Sequence, residues 1–248
     1  MKILIGINTL TTTEQIIYSN HIGFFYRLGK HFPNDSFALF TPRRMSIDRM
    51  RNAAAKMAVE NGFDYLMFID DDVVVPLDLF DKLHAAEKDI VAGWTIIRGW
   101  PFENMFFKFD DQKRNLTPMK DVERNSGILD VDAVGFSTAL IKMDLLKKIP
   151  PPWFVTGPNN TEDIYFCLKA RQYVPNCTIA VDTSIETAHL LGPEFIAPWN
   201  REDYKIYQIA QDPEIGKPEM NKYLDESGDR GAKYLEMVQG PLPARGVK

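Results

Sequence analysis

The chain has 248 residues, 45% of them hydrophobic, 25% charged and 12% aromatic, which supplies a sizeable core for one domain with an appended tail. A net charge of -5 excludes the broad positive field that draws a protein onto nucleic acid or anionic lipid, though not a locally basic groove. No run approaches the roughly 20 apolar residues of a spanning helix, and the start lacks the small-residue cleavage site of a signal peptide. Together with only two cysteines, Cys167 and Cys177, too few for a disulfide framework, this predicts a cytoplasmic protein in which both thiols are buried.

In chain order, Ile3 to Ile7 reads as a first strand. Gln15 to Lys30 carries Ile16, Ile17, Ile22, Phe25 and Leu28 at near-helical spacing, and Phe37 to Phe40 gives a second short strand. Ser46 caps a predicted helix through Met50, Ala54, Met57 and Ala58 that Asn61-Gly62 ends. Tyr65 to Ile69 is continuously apolar, the pattern of a central strand covered on both faces, and it runs into Asp70-Asp71-Asp72. A helix is expected after Pro76 and a strand over Ile90 to Trp94. Phe106 to Phe109 reads as a strand and the charged stretch after it as loop. Asp132 to Ile141 reads as a strand leading into a helix from Met143 to Lys148, which Pro150-Pro151-Pro152 stops. Thr161 caps a helix to Arg171, and Thr178 to Val181 is the last expected strand. From Gln211 the composition turns polar, predicting a domain over residues 1–210 and a tail over 211–248 with one short helix at Ala232 to Val238. The alternation of strands and helices is that of an α/β fold with a mixed, mostly parallel sheet flanked by helices.

The chemistry concentrates at the acidic triplet. Residues two apart in a strand face the same way, so Asp70 and Asp72 present carboxylates to one cavity at the strand's carboxyl end, where open α/β sheets bind ligands. Three adjacent carboxylates repel one another, and a hard cation such as Mg²⁺ or Mn²⁺ relieves the repulsion while taking its other ligands from substrate phosphates. The competing reading is an acidic turn that complements the next helix dipole.

Asp70-Asp71-Asp72 resembles the Asp-x-Asp motif of GT-A fold, family 2-like glycosyltransferases. Further likenesses follow in the same order: Arg49 to Ala55 resembles the Arg-Asn helix before that motif, Val134 to Ile141 the acceptor-side strand, Thr161-Glu162-Asp163 the Glu-Asp motif, and Ala188-His189-Leu190 a late metal-binding histidine. The resemblance covers roughly residues 1 to 192 and implies a GT-A, Rossmann-like fold and transfer of a sugar from a nucleotide diphosphate to an acceptor hydroxyl. It implies that Asp72, with Asp70 and His189, holds Mn²⁺ or Mg²⁺, which bridges the donor diphosphate as a Lewis acid. Asn8 and Thr9 would border the nucleoside, with Arg49, Asn52, Asp70 and Asp71 also on the donor side. Asp163 would be the general base, with Glu162 beside it. Trp94, Arg98, Gly135 and Phe136 would line the acceptor side, and Trp100, Trp153 and Trp199 offer further stacking faces.

The expected donor is a nucleotide diphosphate-sugar, a UDP-sugar first. The acceptor, whether a glycan, a lipid-linked sugar, a protein or modified DNA, is left open. The cluster Arg43, Arg44, Arg49, Arg51 and Lys56 fits a phosphate contact or a solvated helix face equally. Two other readings stand beside this one. Asp70 and Asp72 also fit the nucleophile and acid of a haloacid dehalogenase-like phosphatase, although there the motif ends the first strand and here about the third. A non-catalytic nucleotide- or sugar-binding module is the other.

Overall fold

The computed structural model describes residues 1–9, 13–42, 44–112, 114–158, 160–191 and 194–205; the expected tail over 211–248 and its helix lie outside them. The chain divides into two compact units. The first comprises Met1–Arg98 and Glu103–Pro198, and the second Gly99–Phe102 and the residues from Trp199 onward.

In the first unit, β1 (Lys2–Asn8) leads to α1 (Gln15–His31), β2 (Ser36–Phe40) to α2 (Ile47–Glu60), and β3 (Tyr65–Asp70) to the two-residue β4 (Val73–Val74) and α3 (Leu79–Ala85). Then come β5 (Ile90–Trp94), β6 (Phe106–Asp110), β7 (Asn115–Pro118), β8 (Ile128–Asp130), β9 (Ala133–Val134) and β10 (Thr138–Lys142). The short α4 (Met143–Leu146), α5 (Glu162–Tyr173), β11 (Ile179–Glu186), β12 (Ala188–Leu191) and β13 (Glu194–Ile196) complete it. A seven-stranded sheet runs β2-β1-β3-β10-β5-β11-β8. Only β10 and β8 oppose the other strands, so the expected α/β class, a mixed and mostly parallel sheet flanked by helices, is the one found. Two three-stranded sheets, β13-β12-β4 and β7-β6-β9, stand beside it.

Alternation along the strands divides the core. Ile3, Ile5 and Ile7 of β1, with Met67 and Ile69 of β3, face a layer built from Phe24 and Leu28 of α1 and Leu79, Phe80 and Leu83 of α3. The opposite face carries Leu4, Gly6, Phe68 and Asp70 toward α2. There a Cβ on Gly6 would lie 3.0 Å from the Phe68 ring and 3.6 Å from Ala54. Both faces of β3 are therefore covered, and its apolar run stops only where the chain emerges at Asp70.

The structure departs from the sequence reading in four places. The single strand expected over 132–141 is two, because residues 135–137 leave the ladder: Gly135 N–H donates to Met105 O at 2.6 Å and Ser137 O accepts from Asp70 N–H at 2.9 Å. The stretch after Phe109 is not all loop, since β7 pairs with β6 in a hairpin too exposed to display a period. Thr178 to Val181 is not the last strand; β11 continues to Glu186, and β12 and β13 follow. Ser46 and Thr161 stand at the N-cap positions, but neither hydroxyl caps a backbone N–H. Each bonds the carboxylate two residues on, Asp48 and Asp163 respectively. Cys167 and Cys177 are free and buried, as expected.

Candidate active site

The carboxyl ends of β1 and β3 lie side by side with Asn8 in register with Asp70. Beyond Asp70 the chain turns through Asp71 and Asp72 into β4, which pairs antiparallel with β12 so that Val73 lies opposite His189 and Val74 opposite Ala188. Leu190 N–H donates to Asp72 O at 2.8 Å, completing that ladder. From the other side α1 grips the same turn. Asn20 bonds both the N–H and the carbonyl of Val75 at 2.9 Å, and His21 Nε2 donates to Val73 O at 3.0 Å. Burial lowers the His21 pKa despite that bond, so a neutral imidazole is held there.

This ladder brings Asp72 and His189 together: Oδ1 and Nε2 are 3.4 Å apart. His189 Nδ1 lies 3.0 Å from Ile96 O, and a carbonyl only accepts, so Nδ1 carries a proton and Nε2 is the nitrogen turned toward Asp72. A histidine tied through its other nitrogen to a carbonyl has the support expected of a metal ligand. The second oxygen of Asp72 is 2.6 Å from Arg98 Nη1. Burial raises the Asp72 pKa, but His189 and Arg98 outweigh it and hold the carboxyl below its ordinary range.

A second cluster lies behind the first. Arg51, 2% exposed, reaches from α2 over the rings of Phe68 and Phe136, 5.3 and 5.5 Å from their centroids. Its Nη1 is 2.8 Å from Glu162 Oε1 and 3.9 Å from Asp163 Oδ2. Its Nη2 reaches Asp70 Oδ1 at 3.3 Å and Phe136 O at 3.2 Å. Burial raises the pKa of both Asp70 and Glu162, and the Arg51 charge opposes it without reversing it. Asp163 accepts from the Thr161 hydroxyl and from Ile164 N–H at 2.7 Å on Oδ1, and from Phe136 N–H at 3.2 Å on Oδ2. Four acceptor positions less these three donors leave one, on Oδ2.

Asp71, half-buried between its neighbours, has a pKa raised to about 6, first by burial and then by Asp72 and Asp70, with a Thr9 hydrogen bond opposing. Asn8 Oδ1 is buried without a hydrogen-bond partner. Five carboxylates (Asp70, Asp71, Asp72, Glu162, Asp163) thus face two guanidiniums, an imbalance of three negative charges when all are ionised. Among the described residues no three His, Cys, Asp or Glu side chains form a metal cage. The donor set is a carboxylate oxygen and an imidazole nitrogen beside a partly exposed turn, which fits a hard divalent ion that completes its shell with phosphate and water.

Other expected site residues lie elsewhere. Asn52 does not face Asp70: its Nδ2 donates to Asp48 O and Phe154 O at 2.8 and 2.6 Å, and its Oδ1 accepts from Trp153 and Phe154 N–H. The amide is fully used in pinning the segment after the prolines to α2. Arg49, one position off the inward face, is exposed. Trp94 is 1% exposed and its indole N–H donates to Asn104 Oδ1 at 2.8 Å, so it is core and offers no stacking face. Trp153 is likewise buried, donating to Ile149 O at 2.9 Å. The Phe136 ring is buried against Phe68, Phe154 and Phe166, leaving its backbone as the functional part. Gly135 answers to packing, since a Cβ there would lie 2.6 Å from Met105 Cε. In the second unit, Trp100 packs on Phe102 and Phe102 on Tyr204, while Trp199 is half-exposed.

Arg51 is the buried charge that the sequence reading passed over as one of a basic cluster. The signal was present: α2 turns Met50, Arg51, Ala54, Ala55 and Ala58 inward, so one arginine interrupts a stripe otherwise made of methionine and alanine.

No family model matches the chain, and no curated protein matches it. Among solved structures it is similar to A197 from STIV, at 23% identity with a TM-score of 0.52, over 77% of this chain and 86% of that one; this likeness shows the fold. Weaker likenesses include UDP-glucose pyrophosphorylase complexed with UDP-glucose (8% identity, TM-score 0.43, 75% of this chain and 92% of that one). Another is a glycosyltransferase involved in glycosylation of the major capsid of PBCV-1 (11% identity, TM-score 0.38, 72% and 80%).

Proposed function

We propose that the protein is a metal-dependent glycosyltransferase that uses a nucleotide diphosphate-sugar, a UDP-sugar first among them. The observation that carries this reading is the pairing of Asp72 with His189 across the β4–β12 ladder, with Nδ1 of the histidine tied to Ile96 O and Nε2 turned toward the carboxylate. Asp72 and His189 would hold Mn²⁺ or Mg²⁺. Bound there, the ion supplies Lewis-acid stabilisation of charge on a departing diphosphate.

The chain's own groups would do the rest. Asn8 offers a buried, unpartnered acceptor at the end of β1 to a nucleoside N–H or hydroxyl, and Thr9 is adjacent. Asp70, fixed by Arg51 and by its backbone bond to Ser137, is aimed at the donor ribose or sugar. On the acceptor side, Asp163 Oδ2 uses its remaining acceptor position to take the hydroxyl proton as that oxygen bonds to the anomeric carbon. The bond from that carbon to the diphosphate oxygen breaks, and the nucleotide leaves with the electron pair. The phosphatase alternative gains nothing from this geometry, because Asp70, its nucleophile, is already engaged by a buried guanidinium.

The test is a screen of nucleotide sugars for Mn²⁺-dependent thermal stabilisation and hydrolysis, repeated with Asp72→Ala. The expected result is stabilisation by one donor class that requires the ion and is abolished by Asp72→Ala with the fold retained. Donor binding indifferent both to Mn²⁺ and to Asp72 would reject the metal-dependent mechanism.

A further inference from the structure

Between the strand that ends in the acidic triplet and the strand that carries His189 runs a file of three hydroxyls. Ser137 Oγ donates to Thr95 Oγ1 at 2.6 Å, Thr95 Oγ1 lies 2.7 Å from Thr187 Oγ1, and Thr187 Oγ1 donates to Trp94 O at 3.1 Å. None of the three residues is more than 1% exposed. Each hydroxyl has a single proton, and that settles the direction of the file. The Thr187 proton is on Trp94 O, so the 2.7 Å bond must be donated by Thr95, and Thr95 in turn accepts from Ser137.

The file closes a circuit around the site. Its first member, Ser137, takes Asp70 N–H on its carbonyl. Its last, Thr187, lies two residues before His189, and its own N–H also donates to Trp94 O at 3.0 Å. Its middle member, Thr95, immediately precedes Ile96, whose carbonyl holds His189 Nδ1. The far side of the circuit is the bond from Leu190 N–H to Asp72 O. The segments that carry Asp72 and His189 are thus joined twice, once through the β4–β12 ladder and once, by way of the Asp70 backbone, through buried hydroxyls. A fully satisfied polar network in the interior is rigid, and one missing member strands the others without partners.

We propose that the Ser137–Thr95–Thr187 relay is a positioning device that sets the orientation of His189 toward Asp72, with Thr95 as its central positioning residue. In its metal form the proposal rests on the function proposed above; the orientation of the imidazole does not.

The experiment uses the full chain, Mn²⁺ alone as the probe, and the imidazole nitrogen resonances of His189. Thr95→Val keeps the side-chain shape and removes the central hydroxyl, whereas Thr95→Ser keeps the hydroxyl. Thr95→Val is expected to weaken Mn²⁺ affinity by roughly 10- to 100-fold, the range for outer partners of metal ligands, and to move the His189 resonances away from the Nδ1–H tautomer. Thr95→Ser is expected to restore both. A folded Thr95→Val variant with unaltered affinity and unaltered His189 resonances, and only a lower melting temperature, overturns the proposal. If the unmodified protein binds no Mn²⁺ yet Thr95→Val still moves those resonances, the metal reading fails and the positioning of His189 stands. Should Thr95→Val not fold, Ser137→Ala removes the first link alone and is judged by the same two readouts.

Discussion

The two acidic clusters at the carboxyl end of the sheet use the same side chains under opposite conditions. Asp72 and Arg98 sit at the rim, with side chains 22% and 51% exposed, and the buried His189, at 8%, faces Asp72. Arg51, Glu162 and Asp163 lie behind, with side chains at 2%, 7% and 9%. At the rim the two Asp72 oxygens meet an exposed guanidinium and an imidazole. In the interior the guanidinium is committed to several acceptors, and the carboxylates depend on it. The comparison teaches that carboxylates gathered at one end of a sheet can divide into a more open part and a part that holds shape, and that burial makes the division.

Asp163 belongs to the interior cluster but keeps one acceptor position, so it tests where the division falls. Asp163→Asn keeps the bonds from Thr161 and Ile164 on its one oxygen, gives up the Phe136 bond on the other side, and removes the capacity to take a proton. Transfer should fall by roughly 10² to 10⁴, with donor and metal affinities unchanged. Near-normal turnover with a small loss of stability would move Asp163 wholly to the structural side.

The guanidiniums sharpen the comparison next. Arg51→Met leaves the buried Glu162, and the partly exposed Asp70 beside it, without their counter-charge, and the expected loss is about 3–5 kcal/mol in urea denaturation. Arg98→Ala touches an exposed pair, and its effect on stability should stay within about 1 kcal/mol. Arg98→Ala should also raise the Mn²⁺ affinity of the donor-free protein by a few-fold, because it frees the second oxygen of Asp72. Similar stability losses at the two sites would erase the distinction between rim and interior.

How much of this was legible in the sequence follows the range of the interactions. The apolar run of β3 and the alternation of strands and helices announced the sheet, because burial on two faces writes itself into local pattern. Asp72 and His189 were readable by resemblance. The resemblance also named Asn52 and Trp94, and packing overrode it: one amide is used up by the segment after the prolines, and one indole by Asn104. Strands β4, β12 and β13 are two to four residues long, and nothing local distinguishes them from loop; they exist because the turn after Asp72 meets a distant segment. The same holds for Ser137, Thr95 and Thr187, ordinary residues just outside strand ends until the fold lines up their hydroxyls.

The smallest expected effect lies at Asp71, between the two clusters, and pH exposes it. Burial first, then Asp72 and Asp70, raise its folded pKa to about 6 from an ordinary value of 3.8. The folded protein therefore binds this proton more tightly than the unfolded chain. Below about pH 3.8 the proton is bound in both states and the stabilisation that it confers is complete. As pH rises through about 6 the folded carboxyl ionises and that stabilisation is lost, so at neutral pH a half-buried charge works against the fold. Asp71→Asn retains an acceptor for the Thr9 hydroxyl and carries no charge. In chelator and without donor, it should stabilise the protein by about 1 kcal/mol at pH 7.5, allowing for solvent screening of a half-exposed group. That gain should shrink through pH 6 to 4 and be gone below about 3.8. A gain equal at pH 7.5 and pH 4, measured by urea denaturation, would mean that repulsion within the triplet is not its source, and a loss at pH 7.5 would mean that the charged form of the Thr9 bond outweighs that repulsion.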